Sequence, residues 1–245
     1  MTIPTSHPRL VSLKTRTLLE KGVKDGITSL NGLIAHGRGE AFDYLLSEKT
    51  HDFAREAIRA AAATLLLAKQ PVVSVNGNTT AIVPKEMVQL ARLLDAPLEV
   101  NLFHPSEKRL QKIKKHLEKH GAKEVLLPEK ECVIFHLDSP RKYVNSNGIF
   151  QADVVFVPLE DGDRTEALIK NGKKVITVDL NPLSRTAEKA TITIVDNIIR
   201  AMPKLIQQVR DMKIWERRRL LRYLDSYNNQ KVLQKAITTI RAGTE

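Results

Sequence analysis

Between residues 9 and 70 apolar positions recur at intervals of three and four. "RLVSLKTRTLLEKGV" and "DFAREAIRAAAATLLLAKQ" each gather their aliphatic side chains on one stripe, and the second is rich in strong helix formers. The spacing predicts helices on either side of a loop holding Gly37 and Gly39. At Pro71 the pattern changes to short, continuous, β-branched runs: "VVSV" at 72–75, "LEVNL" at 98–102, "EVLL" at 124–127, "DVVFV" at 153–157, "KVITV" at 174–178 and "TITIV" at 191–195. Such runs suit strands buried on both faces, and the helical segments between them suit right-handed crossovers. The expected fold is α/β: a Rossmann-like, mostly parallel sheet sandwiched by helices, with an N-terminal helical segment and a C-terminal helical tail.

Proline and glycine refine the boundaries. Pro84 and Pro105 are expected at first helical positions, where a missing N–H costs nothing. The stretch from Pro128 to Gly148 is irregular and fits either a meandering loop or an extra hairpin. The amphipathic spacing resumes at Ile199, Met202, Leu205, Ile206 and Val209, and again at Val232, Ala236, Ile237 and Ile240. One ligand-binding domain over 1–212 and a helical extension over 213–245, covering the core or a second subunit, account for this order.

Charge invites a nucleic-acid reading, and its distribution weakens it. Of the formal net charge of +11, residues 200–245 supply seven (eleven Lys or Arg against four Asp or Glu), leaving four for the first 199 residues. "KRLQKIKKHLEK" puts Leu110, Ile113 and Leu117 on one stripe and its lysines elsewhere, the pattern of a helix with a solvated basic face. No aromatic RNA-binding signature and no zinc-finger spacing is present. Cys132 is the single cysteine, beside Val133, Ile134 and Phe135, and reads as a buried, unreactive thiol. The N-terminal residues lack the apolar core of a signal peptide, and residues 54–68 carry Arg55, Glu56 and Arg59, so the expectation is a cytoplasmic protein with no membrane span.

In doubly wound sheets ligands bind beyond the carboxyl ends of the strands, which directs attention to four loops: "NGNTT", "FHPSEKR", "DLNPLSRTA" and "DNIIRA". Asn76, Asn78, Thr79 and Thr80 surround Gly77 and would suit a phosphate or carboxylate, or else form an Asn and Gly turn with a Thr cap. "DLNPLSRTA" combines an acid able to take ribose hydroxyls with an amide and a guanidinium. "LIAHGRGEAF" offers Arg38 between two glycines, suited to an anion. Known phosphate fingerprints fail here. Gly32 and Gly37 have Walker A spacing, but Arg38 and Gly39 stand where Lys and Ser or Thr are needed, and "GRGEAF" lacks a third glycine. His116 and His120 lack the glutamate of a zinc helix, Leu117 following the first histidine.

"SHPR" at 6–9, "TR" at 15–16, "GLIAHGRGEAFDYLLSEKT" at 32–50, "NGNT" at 76–79, "VDLNPLSRTA" at 178–187 and "DN" at 196–197 together resemble the archaeal phosphopantothenate synthetase family. The resemblance implies a homodimeric 4-phosphopantoate:beta-alanine ligase of coenzyme A biosynthesis, converting ATP to AMP and diphosphate with Mg2+. It further implies that ATP meets Arg16 and Arg38, Asp179, Leu180 and Asn181, Arg185 and Thr186, and Asn197 and Ile198, with Arg16 and Arg38 as the catalytic cations. Asn76, Asn78, Thr79 and Thr80 are the expected contacts of phosphopantoate. The metal ligands stay undecided, Glu40, Asp43 and Asp196 being candidates that could equally serve as helix-terminus charges. The chemistry expected is attack of the acid's carboxylate on the α-phosphorus, then displacement of AMP from the acyl adenylate by the amine. Two other functions compete: a different nucleotide-dependent transferase or kinase on the same sheet, and a basic nucleic-acid-binding protein using Arg217, Arg218 and Arg219.

Overall fold

A computed structural model describes residues 4–243. The elements run α1 (Leu10–Asp25), α2 (Leu30–Leu45), α3 (Asp52–Leu67), β1 (Pro71–Val75), α4 (Gly77–Ile82), α5 (Pro84–Leu94), β2 (Leu98–Val100), α6 (Glu107–Lys119), β3 (Val125–Leu126), β4 (Glu129–Val133), β5 (Tyr143–Val144), β6 (Val154–Phe156), α7 (Gly162–Lys170), β7 (Lys174–Val178), α8 (Arg185–Lys189), β8 (Ile192–Ile194), α9 (Ile198–Met212), α10 (Arg217–Asp225) and α11 (Asn229–Ala242). The six predicted strands form one sheet in the order β3-β2-β1-β6-β7-β8, every neighbouring pair parallel.

Both faces of that sheet are buried: β1, β6 and β7 turn apolar side chains to both sides, while β2 and β8 bury Glu99 and Thr193 on their second face. Val73, Val75, Val154, Phe156, Ile176, Val178, Ile192 and Ile194 join the larger core under α3, α5, α6 and α9. Val72, Val155, Val157 and Val175 turn to a smaller core with Leu168, Ile149 and Val144. Burying a side chain the size of Phe156 contributes roughly 1.5–3 kcal/mol, so continuous apolar runs favour a two-sided sheet. Within α3, Ala54, Ala57 and Ala60 to Ala63 are all buried, and their small side chains let α9 lie close.

Two sequence expectations change, and one left open is decided. Gly37 and Gly39 do not form a loop: α2 runs through both, started by the Ser29 side chain accepting from the Gly32 amide. The chain turns instead at Gly26, left-handed after α1, and at residues 46–51. Two interior glycines cost the helix about 1 kcal/mol each relative to alanine, and contacts at both ends of α2, described below, hold it nonetheless. Pro105 precedes the Ser106 cap of α6 and is not its first residue. Pro128 to Gly148 contains the antiparallel pair β4 and β5, joined through a short 3-10 turn at Pro140–Lys142. Cys132 in β4 is half-buried, with its thiol pushed up mainly by burial.

The carboxy-terminal helices close the β8 edge. The Asn229 side chain accepts from the Thr193 amide at 2.8 Å and donates to the Ala187 and Ala190 carbonyls at 3.1 and 3.2 Å. An edge-strand donor that would otherwise face outward is thereby satisfied. Both α10 and α11 lie on α3. No helix among the described residues is long and apolar enough to cross a membrane.

Candidate active site

The strand order reverses between β1 and β6, which makes the crevice beyond their carboxyl ends the natural ligand site. Asn76, immediately after β1, caps α4 in a reciprocal box with Thr79: its side chain accepts from the Thr79 amide at 3.1 Å, and the Thr79 hydroxyl accepts from the Asn76 amide at 2.9 Å. Its own amide donates to the carbonyls of Pro158 and Leu159, both at 3.1 Å, on the loop that follows β6. Asn76 therefore stitches the two halves of the sheet together at the switch point. Asn78 donates to the Gly32 carbonyl at 2.9 Å and accepts from Thr28. The polar groups of Asn76, Asn78 and Thr79 are thus engaged within the chain, while the Thr80 hydroxyl is buried without a partner among the described residues.

Gly77 is required by its surroundings. A Cβ there would stand 2.6 Å from the Arg109 guanidinium and 2.7 Å from the Ile27 carbonyl. Arg109, on α6, donates to that carbonyl at 3.1 Å and to His104 at 3.3 Å, and partial burial lowers its pKa.

From Asn78 the helix α2 crosses the carboxyl edge to the β8 loop. Its first turn is held at Gly32, and in its last turn Asp43 accepts from the Asn197 amide at 2.8 Å and from Arg200 at 3.2 Å. Eleven residues at 1.5 Å each span about 16 Å, enough to bridge several strands. Arg200 also donates to Asp196 at 2.9 Å, and Thr50 donates to the other Asp196 oxygen at 2.7 Å. Between these anchors Glu40 is buried against α1, accepting from Ser12 and from Arg16 at 2.8 and 3.2 Å. That hydrogen bond raises the pKa of Arg16, and burial lowers that of the neighbouring His36. Arg38 lies about 200° around the helix from Glu40, so it is exposed on the opposite face, beside Ile34 and Leu45. Nothing stands within 4 Å of where a Cβ would be on Gly37 or Gly39.

The remaining sequence candidates lie on the β7 and β8 loops, which the Asp179 amide joins by donating to Ile194 at 3.1 Å. The Asp179 carboxylate accepts from the Asn181 amide at 2.9 Å and from Ser184, and burial raises its pKa. Asn181 accepts from the Leu183 amide, and Leu180 rests half-buried on the larger core. Arg185 is exposed and paired with Asp163 and Glu166 of α7, its hydrogen bond holding Glu166 down at about 2. Thr186 is buried, donating to the Glu160 carbonyl at 3.0 Å. Asn197 caps α9, and Ile198 is buried at its first position.

Sequence reasoning missed the arginines inside the edge. Arg164 is fully buried, donating to Glu160 at 2.5 Å and to Ser74 of β1 at 3.3 Å. Arg141 meets the same Glu160 and, at 2.5 Å, Asp161. Glu160 and Arg164 carry the i,i+4 spacing of a helical ion pair, a legible signal, whereas Arg141 sits in the stretch whose conformation the sequence left open. Arg200 stands in the run "DNIIRA" that the sequence singles out, but nothing in that run assigns it a partner.

Residues 53–243 match the family model described as phosphopantothenate/pantothenate synthetase. The chain belongs to that family. It is 53% identical over 242 residues, covering 98% of this chain and 92% of the relative, to the 4-phosphopantoate--beta-alanine ligase of Thermococcus onnurineus. It is 52% identical over 240 residues to the ligase of the same name from Thermococcus kodakarensis, with 98% and 92% covered, and 48% identical over 239 residues to that of Methanosarcina mazei, with 98% and 94% covered.

Within this synthetase the family match begins at α3, while the pairwise likenesses extend over α1 and α2 as well, the helices that carry Arg16 and Arg38. The three carboxylates considered for a metal do not fit one. Both oxygens of Glu40, Asp43 and Asp196 are engaged, each carboxylate facing an arginine. No cluster of three or more His, Cys, Asp or Glu side chains suited to a metal exists among the described residues.

Proposed function

We propose that this synthetase condenses 4-phosphopantoate with beta-alanine, consuming ATP and yielding 4'-phosphopantothenate, AMP and diphosphate. One observation carries the reading: relatives named as that ligase match the chain over 98% of its length at about half identity. The geometry suits it. A carboxylate and an amine do not condense unaided in water, so the acid is first activated; its carboxylate oxygen bonds to the α-phosphorus of ATP and diphosphate leaves. The amine of beta-alanine then bonds to the acyl carbon, AMP departs with the electron pair of the broken C–O bond, and the amine releases a proton. No covalent enzyme intermediate is needed.

In this reading the β7 and β8 loops, with Asp179, Leu180, Asn181, Arg185, Thr186, Asn197 and Ile198, receive the nucleotide at the carboxyl edge. Arg16, fixed by Glu40, is a preorganised cation for the charge that develops on phosphoryl oxygen. Mg2+ travels with the ATP phosphates, since the nearby carboxylates are already paired and magnesium binds readily through phosphates and water. Asn76, Asn78 and Thr79 shape the phosphopantoate pocket by holding the crevice and α2 in place.

A homodimer also fits. Leu30, Ile34 and Leu45 are exposed on the outer face of α2, at 69%, 65% and 47%, with Gly37 open between them, a surface on which a helix of a second copy can approach closely. Arg38 lies on this face, and a second copy would bring it to the neighbouring site.

The test incubates the protein with ATP, Mg2+ and 4-phosphopantoate, with and without beta-alanine, and follows nucleotides and products by mass spectrometry. AMP and phosphopantothenate rising together only in the complete mixture is the expected result. ADP in place of AMP would overturn it.

A further inference from the structure

A cleft of about 780 Å³ opens beside the β8 loop, between the segment that leads into α3 and the first two turns of α9. Its walls carry Lys49, Arg55, Arg200 and Lys204 with Glu48 and Asp52; Arg55 pairs with Asp52 and Arg200 with Asp43 and Asp196, which leaves the two lysines facing Glu48. Neither Lys49 nor Lys204 takes part in an ion pair among the described residues. Two long helices, α3 and α9, begin at this cleft, and no side chain caps the start of α3. Arg200 is held rigidly by Asp43 and Asp196, so the cleft adjoins the same network that docks α2.

Volume and charge together select the ligand. The space is within the range of small-molecule sites, and two lysines without an ion-pair partner beside the start of α3 favour a compact anion. None of Asp179, Leu180, Asn181, Arg185 and Thr186 lines it, whereas Ile199, next to Asn197 and Ile198, does.

We propose that the cleft receives a phosphoryl group of a substrate during the ligation. The inference rests on the ligase reading above, in which two substrates bear phosphate: the monoester of the acid and the triphosphate of ATP. Lys49 and Lys204 supply mobile cations to it, and Arg200 is a positioning residue that ties the cleft to α2.

The test uses the double variant Lys49→Ala/Lys204→Ala; both side chains are exposed, and an unchanged thermal midpoint without ligand verifies its fold. Calorimetric titration with inorganic phosphate and diphosphate, and KM for each substrate, are compared with the wild type. Loss of two charged hydrogen-bond donors is expected to weaken anion binding by about tenfold or more and to raise one KM as much, with Lys204→Arg restoring part of the loss. A raised KM for phosphopantoate alone assigns the cleft to the acid; a raised KM for ATP alone assigns it to the triphosphate. Anion binding and both KM values within about twofold of wild type would overturn the proposal. Should the wild type make no phosphopantothenate, the ligase reading falls, and the phosphate titration still decides the cleft.

Discussion

Arg200 of α9 grips Asp43 of α2 with two nitrogens across 157 residues of sequence, and the Asp43 side chain is only 4% exposed. The pair fixes one end of a helix whose other end is fixed by Asn78, so α2 is a strut over the carboxyl edge of the sheet.

Removing Asp43 leaves the partly buried Arg200 with Asp196 as its remaining acidic partner. Asp43→Ala is expected to cost about 3 kcal/mol, the lower end of the range for breaking a buried pair, because Arg200 keeps Asp196. A shift in the urea midpoint with unchanged slope measures it. A midpoint equal to wild type would mean that α2 is held by other contacts.

Glu99, buried in β2, has its pKa raised from 4.5 to about 7 by burial, even though the Asn145 and Ile149 amides donate to it. Between those values the folded protein holds a proton that the unfolded chain has released. Its contribution is therefore complete below pH 4.5 and is lost as pH rises through 7, amounting to about 3 kcal/mol. Urea midpoints from pH 5 to 8 should fall more steeply for wild type than for Glu99→Gln; parallel curves would refute the assignment.

Arg16 and Arg38 differ in setting, and their variants should differ in stability but agree in catalysis. Arg38→Ala is expected to lower kcat/KM about 100-fold with no change in the melting midpoint. Arg16→Ala should lower activity as much and also remove the partner of buried Glu40; because Arg16 is 41% exposed, the stability loss is discounted to about 1 kcal/mol or less. Full activity in Arg38→Ala would exclude it from the site.

Gly37→Ala places a methyl in open space within a helix. The subunit alone should gain up to about 1 kcal/mol, since alanine loses less conformational freedom in a helix. If α2 meets a second copy, the same methyl obstructs close approach, and sedimentation equilibrium should show weaker association. Unchanged association would place the dimer contact elsewhere.

The six strands of the parallel sheet were legible because burial on two faces favours short, continuous apolar runs, and the family was legible because its loop motifs stand in order along the chain. The sequence also determined the basic face of α6, where Leu110, Ile113 and Leu117 are the buried stripe. Only the tertiary structure decided that Gly37 and Gly39 belong to a helix: local propensity opposes it, and Asn78 and Arg200, distant in sequence, outweigh that preference. It alone decided which charges are buried, since Arg164 and Lys170 share one helix while a partner at Glu160 and a hydroxyl at Ser74 make an interior place for the first. Short-range pattern reports which face of an element is apolar. Which polar groups meet across the switch point depends on strand order, and that is set when the whole sheet assembles.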